Sequence, residues 1–270
     1  MNKLFDITGK VVVITGGTGI LGKAIAKYLA LEGAKVVILG RRAEAGKAIV
    51  DDIKAAGGEA MFLVTDVMKL EVLEQNLADI VAAYGRVDSL LNAAGGNMPG
   101  ATIAPDGTFF DLKPEEFQKV LDLNLTGTVI PSQVFLKQMV EQGEGTIVNF
   151  SSMAEFRPMT RVAGYAAAKA GISNFTAFLA TEVAKKFGEK IRVNAIAPGF
   201  FLTEQNRTLL TNPDGSWTQR GADVIRQTPF GRMGQPEELC GTIHYLISDA
   251  SKFVTGTVAV VDGGFNTFAM

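Results

Sequence analysis

The chain has 270 residues, 47% of them hydrophobic, with 26 basic and 28 acidic side chains and a formal net charge of −2. That length suits one large α/β domain, and the balanced charge offers no basic surface to nucleic acid. The single cysteine, Cys240, cannot form an internal disulfide, no apolar run approaches the ~20 residues of a membrane span, and the N-terminus lacks a signal-peptide pattern; a soluble cytoplasmic protein without a membrane partner is expected.

Short β-branched runs alternate with longer amphipathic stretches along the whole chain. In chain order the pattern predicts strand Val11–Ile14, helix Leu21–Leu31, strand Val36–Leu39, helix Glu44–Ala56, strand Ala60–Val64, helix Leu70–Tyr84 and strand Ser89–Leu91. It continues with helix Pro114–Gln142, strand Gly145–Phe150, helix Gly164–Phe187, strand Arg192–Ile196, helix Pro236–Ser248 and strand Val258–Val261. The strands are apolar at consecutive positions, as expected when helices cover both faces of a sheet. The alternation predicts a doubly wound, parallel, seven-stranded sheet, a Rossmann fold, in one domain spanning 1–270. Two loops break the rhythm after strand C-terminal ends, Gly95–Leu112 and Phe200–Gly234. The second is expected to hold one or two short helices and to act as a substrate lid.

Gly16-Gly17-Thr18-Gly19-Ile20-Leu21-Gly22 follows the first strand and opens the first helix. Gly17, Gly19 and Gly22 satisfy G-x-G-x-x-G, which lets backbone approach a pyrophosphate held at a helix N-terminus. Where an NAD site commonly has an acid for the ribose 2′-hydroxyl, the second strand ends in Arg41-Arg42. Two arginines can hold a 2′-phosphate, which favours NADP with NAD possible; Arg41 can equally stack on the adenine. Asp66 and Val67 end the third strand beside the adenine position, and Asn92-Ala93-Ala94-Gly95 ends the fourth, where small side chains admit the dinucleotide.

Tyr165 and Lys169 lie four residues apart, hence on one helix face. A lysine cation beside a phenol favours the phenolate and makes tyrosine a usable proton donor and acceptor near neutrality. Ser151-Ser152 precede this pair at the end of the fifth strand.

These residues, with Asn124, Asn194, Pro198-Gly199 and Val261-Asp262-Gly263-Gly264, resemble the short-chain dehydrogenase/reductase family over essentially the whole chain. The resemblance implies a catalytic set of Asn124, Ser152, Tyr165 and Lys169. Tyr165 is the acid or base, and Lys169 lowers its pKa and binds the nicotinamide ribose. Ser152 polarises the substrate carbonyl, and Asn124 holds a proton-relaying water. It also implies cofactor contacts from Pro198, Gly199, Phe201 and Thr203, a homotetramer built partly on the helices of Asn124 and Tyr165, and no metal. Within that family, the segments 95–97, 199–207 and 212–220 look like those of the bacterial D-mannonate oxidoreductases, which implies a sugar-acid substrate. A sugar acid needs cations for its carboxylate and donors for its hydroxyls. Arg157 and Arg161, between Ser152 and Tyr165, are candidates, as are Arg207 and Arg220 on the lid; Asn97, Gln205 and Asn206 suit the hydroxyls. Alternatives are a reductase of another ketone, such as a 3-oxoacyl thioester, and a nucleotide-binding regulator without turnover.

Other residues read as structural. His244 is expected to pack or to lie on the surface, Cys240 to be buried, and Phe109-Phe110 to pack the first loop. Trp217 either covers the substrate or anchors the lid. The apolar tail from Phe265 to Met270 is expected to be exposed and to mark a subunit contact.

Overall fold

A computed structural model describes residues 3–268, and for Glu204 and Gln205 the backbone only. Seven strands, β1 (Val11–Thr15), β2 (Lys35–Gly40), β3 (Glu59–Val64), β4 (Ser89–Asn92), β5 (Gly145–Phe150), β6 (Ile191–Pro198) and β7 (Val258–Val261), form one sheet. Its order is β3-β2-β1-β4-β5-β6-β7, with every pair parallel. Alternate residues of one strand serve opposite cores. Val12 and Ile14 of β1 join Val36 and Ile38 of β2 on one side; Val11, Val13, Val37 and Leu39 lie on the other. This is why the strands read as unbroken apolar runs rather than as alternating ones.

The helices α1 (Ile20–Leu31), α2 (Ala43–Ala55) and α9 (Cys240–Ile247) supply the first core. The second core takes α3 (Leu70–Tyr84), α5 (Gly127–Gln142) and α6 (Ala163–Phe187). The expected helix 114–142 is not continuous. It divides into α4 (Pro114–Leu121), a π-helical turn over Asp122–Thr126, and α5. Pro131 has no N–H to return to the preceding turn, and the Thr128 hydroxyl takes up the Asn124 carbonyl at 2.7 Å. A ladder interrupted at both points tolerates the extra residue. The expected helix 236–248 likewise opens as a 3-10 turn, Pro236–Leu239, before α9.

Because β1 pairs with β2 on one side and β4 on the other, the chain leaves the sheet in opposite directions beyond these two C-terminal ends. Such a switch point is where open α/β sheets bind ligands. The Thr15 hydroxyl fastens that crevice by accepting the Ala94 N–H at 3.1 Å. The segment 200–234, the expected lid, contains α7 (Glu204–Leu210) and α8 (Gln219–Gln227) around a small core of Leu210, Val224 and Met233. Its base closes where the Gly234 N–H donates to the Phe200 carbonyl at 2.9 Å.

Candidate active site

The glycine loop is packed so closely that side chains are excluded. Gly16 has φ +66°, and a Cβ there would lie 2.7 Å from the Ala94 Cα. A Cβ on Gly22 would lie 2.7 Å from the Gly16 carbonyl. Gly19 caps α1 without a side-chain bond, so the first N–H groups of α1 have no side-chain partner at the cap and suit an anion. This cradle fits a dinucleotide pyrophosphate. The Arg42 guanidinium donates to the Thr18 carbonyl at 2.7 Å, which holds it against the loop, and Arg41 is exposed beside it. Asp66 is half-buried at the end of β3 and accepts the Met68 N–H at 3.0 Å. Val67 is buried, and Thr18, Ile20, Ala93 and Ala94 sit along the same rim.

A cavity of about 650 Å³ opens beyond this cradle. Gly95, Phe150, Ser152, Tyr165, Lys169, Pro198, Gly199, Phe201 and Thr203 all line it, as does Leu21 at the start of α1. Ser152, two residues past β5, caps a 3-10 turn in extended backbone and accepts the Ala154 N–H at 3.2 Å. Tyr165 stands in the first turn of α6. Burial pushes its phenol above the usual tyrosine value, and a hydrogen bond with Ser152 pulls the other way. Lys169 is 5% exposed, and burial brings its ammonium down to about 8. Its Nζ donates to the Phe150 carbonyl at 2.7 Å and lies 5.4 Å from the centre of the Tyr165 ring. Burial is the largest influence on both groups in the dinucleotide-free protein.

Asn124 is fully buried in the π-helical turn. Its Nδ2 donates to the carbonyls of Gly96 (2.8 Å) and Val120 (2.9 Å), and its Oδ1 accepts the Gly96 N–H at 2.9 Å. Both amide hydrogens are thus committed, and the side chain fixes the loop that follows β4. Gly95 is required there: it has φ +158°, and a Cβ would come within 2.6 Å of the Asn124 Oδ1. Asn92 lies deeper, donating to Ser132 and to Asn149, each at 2.9 Å, and shapes the sheet rather than the cavity.

The substrate candidates divide. Arg161, Asn97 and Asn206 line the cavity, although Asn206 spends its amide capping α7, through the Thr203 N–H at 2.7 Å and the Phe201 carbonyl at 2.8 Å. Arg157 does not reach the cavity. It donates to the Phe268 carbonyl at 2.5 Å and stacks 5.7 Å from the Phe265 ring centre. Arg207 is exposed on α7 and does not line the cavity either, since the helix turns that face to solvent. The Gln205 side chain lies outside the described residues. Arg220, named as a lid cation, does line the cavity, together with Met98, Met159 and Leu209, which carry no distinctive sequence signal.

Sequence reasoning missed Glu155. Its carboxylate accepts from the hydroxyls of Ser151 and Ser173, and Ser151 also donates to the Lys169 carbonyl at 3.1 Å. An acid three residues after Ser152 was the available signal. Several bland expectations also change. Phe109 and Phe110 are 71% and 94% exposed rather than packed. Phe265 is buried against Phe200 instead of exposed, because the chain folds back over Met153; residues 269 and 270 lie outside the described residues. Trp217 does not line the cavity, and bridges to Thr211 within the lid. Of the two places open to His244, packing and surface, it takes the first: it is buried, with its ring nitrogens 3.0 Å from the Tyr28 hydroxyl and 2.6 Å from the Phe5 carbonyl.

Comparison with known proteins accords with this geometry. Residues 10–214 match the short-chain dehydrogenase family. The oxidoreductase UxuB of Bacillus subtilis strain 168, itself uncharacterized, is 45% identical over 273 residues, covering 98% of this chain and 97% of its own. A 3-oxoacyl-acyl-carrier-protein reductase of Synechocystis is 35% identical over 264 residues, covering 97% of this chain and 99% of its own. The crystal structure of a provisionally assigned D-mannonate oxidoreductase from Haemophilus influenzae, with bound NAD, superposes with a TM-score of 0.90. It is 39% identical, over 98% of this chain and 97% of that one. The chain belongs to the short-chain dehydrogenase family and is an NAD(P)-dependent oxidoreductase.

Proposed function

We propose that the enzyme interconverts a secondary alcohol and a ketone on a sugar acid, D-mannonate and D-fructuronate. The observation that carries this reading is the full-length likeness to the NAD-bound Haemophilus protein, at a TM-score of 0.90. The cavity supports it. Of its lining residues, Asn97, Thr102 and Asn206 are polar, while Arg161 and Arg220 add positive charge for a carboxylate.

In this reading Asn124, Ser152, Tyr165 and Lys169 are the catalytic set. A bound nicotinamide dinucleotide supplies or accepts the hydride. Ser152 donates its hydroxyl to the substrate oxygen, and Tyr165 gives that oxygen its proton in reduction or takes it in oxidation. Lys169, held by the Phe150 carbonyl, keeps a positive charge next to the phenol ring and faces the cavity rim where a ribose is expected. Asn124 keeps the Gly95–Gly96 backbone in place. The pair Arg41 and Arg42 and the lack of an acid at the end of β2 favour NADP; NAD, bound in the Haemophilus neighbour, is the alternative.

Purified enzyme mixed with D-mannonate and either dinucleotide is expected to generate reduced nicotinamide absorbance, faster with NADP. Tyr165→Phe is expected to lose about 10²–10⁴-fold in turnover while still binding NADPH. Absence of turnover with both dinucleotides, alongside intact NADPH binding, would sink the mannonate assignment.

A further inference from the structure

Two guanidinium groups line the cavity, and among the described residues no carboxylate pairs with either. Arg161 lies on the segment before α6, and Arg220 in the first turn of α8 on the lid. Each is held by part of its nitrogen fork. Arg161 Nε donates to the Ile103 carbonyl at 2.6 Å, and the Ile103 N–H returns to the Arg161 carbonyl at 3.0 Å. Arg220 Nη1 donates to the Thr160 hydroxyl at 3.4 Å. Both terminal nitrogens of Arg161, and the Nε and Nη2 of Arg220, have no partner among the described residues.

Two like charges in a half-buried cavity repel one another, and burial adds to the cost. Both effects act on Arg220: desolvation and then the Arg161 charge lower its pKa. Arg161 also has φ +74°, the one positive value at a non-glycine position among the described residues. An arginine held in that unfavourable region by the Ile103 backbone, at both its carbonyl and its Nε, marks a fixed, preorganised group rather than a free surface side chain.

We propose that Arg161 and Arg220 together clamp the carboxylate of the substrate. This rests on the sugar-acid reading above and deepens it. The planar fork of Arg161 suits bidentate contact with a carboxylate. Arg220 brings the second charge from the lid, so one anion neutralises the repulsion between the two. It also joins the lid to the loop 95–112, because Arg161 is bonded to Ile103 and Arg220 to Thr160. The clamp selects acids over the corresponding neutral sugars and polyols.

The test compares wild type with Arg220→Met and Arg161→Lys, each verified by an unchanged dinucleotide KM and a melting temperature near that of wild type. Arg220→Met is expected to raise the KM for D-mannonate at least tenfold. Arg161→Lys keeps the charge but loses the fork, and is expected to raise it several-fold. A D-mannonate KM within twofold of wild type in both variants would overturn the clamp. If wild type does not turn over D-mannonate at all, the substrate reading fails, and the clamp is tested separately on a panel of four- to six-carbon hydroxy acids with their matching polyols. Preference for the acids, lost in Arg220→Met, supports it; preference for the polyols overturns it.

Discussion

At the residue scale the chemistry turns on how one buried lysine is charged. Lys169 sits 5% exposed with its ammonium on a single carbonyl, and burial lowers its pKa from 10.5 to about 8. Below pH 8 both folded and unfolded states hold the proton, and the folded state bears the cost of burying it. Between about 8 and 10.5 the folded state releases the proton first, so stability increases with pH through that window. At about 1.4 kcal/mol per pH unit, the full gain is about 3 kcal/mol. The Cys240 thiol works the other way: burial raises it from 9.0 to about 11, and stability is lost as pH rises above 9. From pH 8 to 9 the lysine makes the larger change, because the unfolded thiol is only partly ionised there. Urea midpoints of the dinucleotide-free enzyme are expected to rise across it, and those of Lys169→Met to fall slightly. Equal slopes would mean that Lys169 is not desolvated as the structure has it.

At the element scale, the site depends on a helix that is not regular. The π-helical turn at 122–126 carries Asn124, whose side chain satisfies both backbone groups of Gly96. Asn124→Ala leaves that N–H and C=O without a protein partner at the half-buried cavity wall, at up to about 1–3 kcal/mol each. A fall in the urea midpoint is expected, with a raised dinucleotide KM as the Gly95 loop loosens; an unchanged midpoint would show that solvent replaces the amide. Periodicity did not reveal this break, because apolar spacing is nearly the same on either side of one extra residue. The strands were legible for a simple reason: two-sided burial writes itself as consecutive valines and isoleucines, and β5 and β7 match their expected limits. The glycine loop and the Ser152, Tyr165 and Lys169 positions were legible because each needs one residue type at one spacing. The substrate wall was legible only in part. Of the candidate arginines, Arg157 turned to the C-terminal tail and Arg207 to solvent, leaving Arg161 and Arg220. Sequence gives an arginine its place on the chain, while its direction is set by partners such as Phe265 and Ile103 that lie far away in sequence.

At the scale of the whole molecule, two exposed surfaces are apolar. The helix α6 buries Ile172, Leu179 and Val183, yet its outer face shows Ala167, Ala170, Ala177 and Phe178, the last 61% exposed. Small residues around one exposed aromatic suit close approach of a second helix. The sheet edges differ in a related way. The edge strand β3 carries Glu59, paired with Lys35 at 4.0 Å, as well as an exposed Val64, whereas the opposite edge, β7, is Val-Ala-Val-Val without a charge, with Val260 41% exposed. A bare apolar edge invites pairing unless another chain covers it. Isologous pairing through both surfaces would build a tetramer with two kinds of contact. Light scattering on the eluted protein is accordingly expected to give four times the 28.7 kDa chain mass. Phe178→Glu is expected to halve that mass or lower it further while dinucleotide binding persists, since the residue faces away from the cavity lining. A wild-type mass of 28.7 kDa at micromolar concentration would instead require α6 and β7 to remain exposed to water.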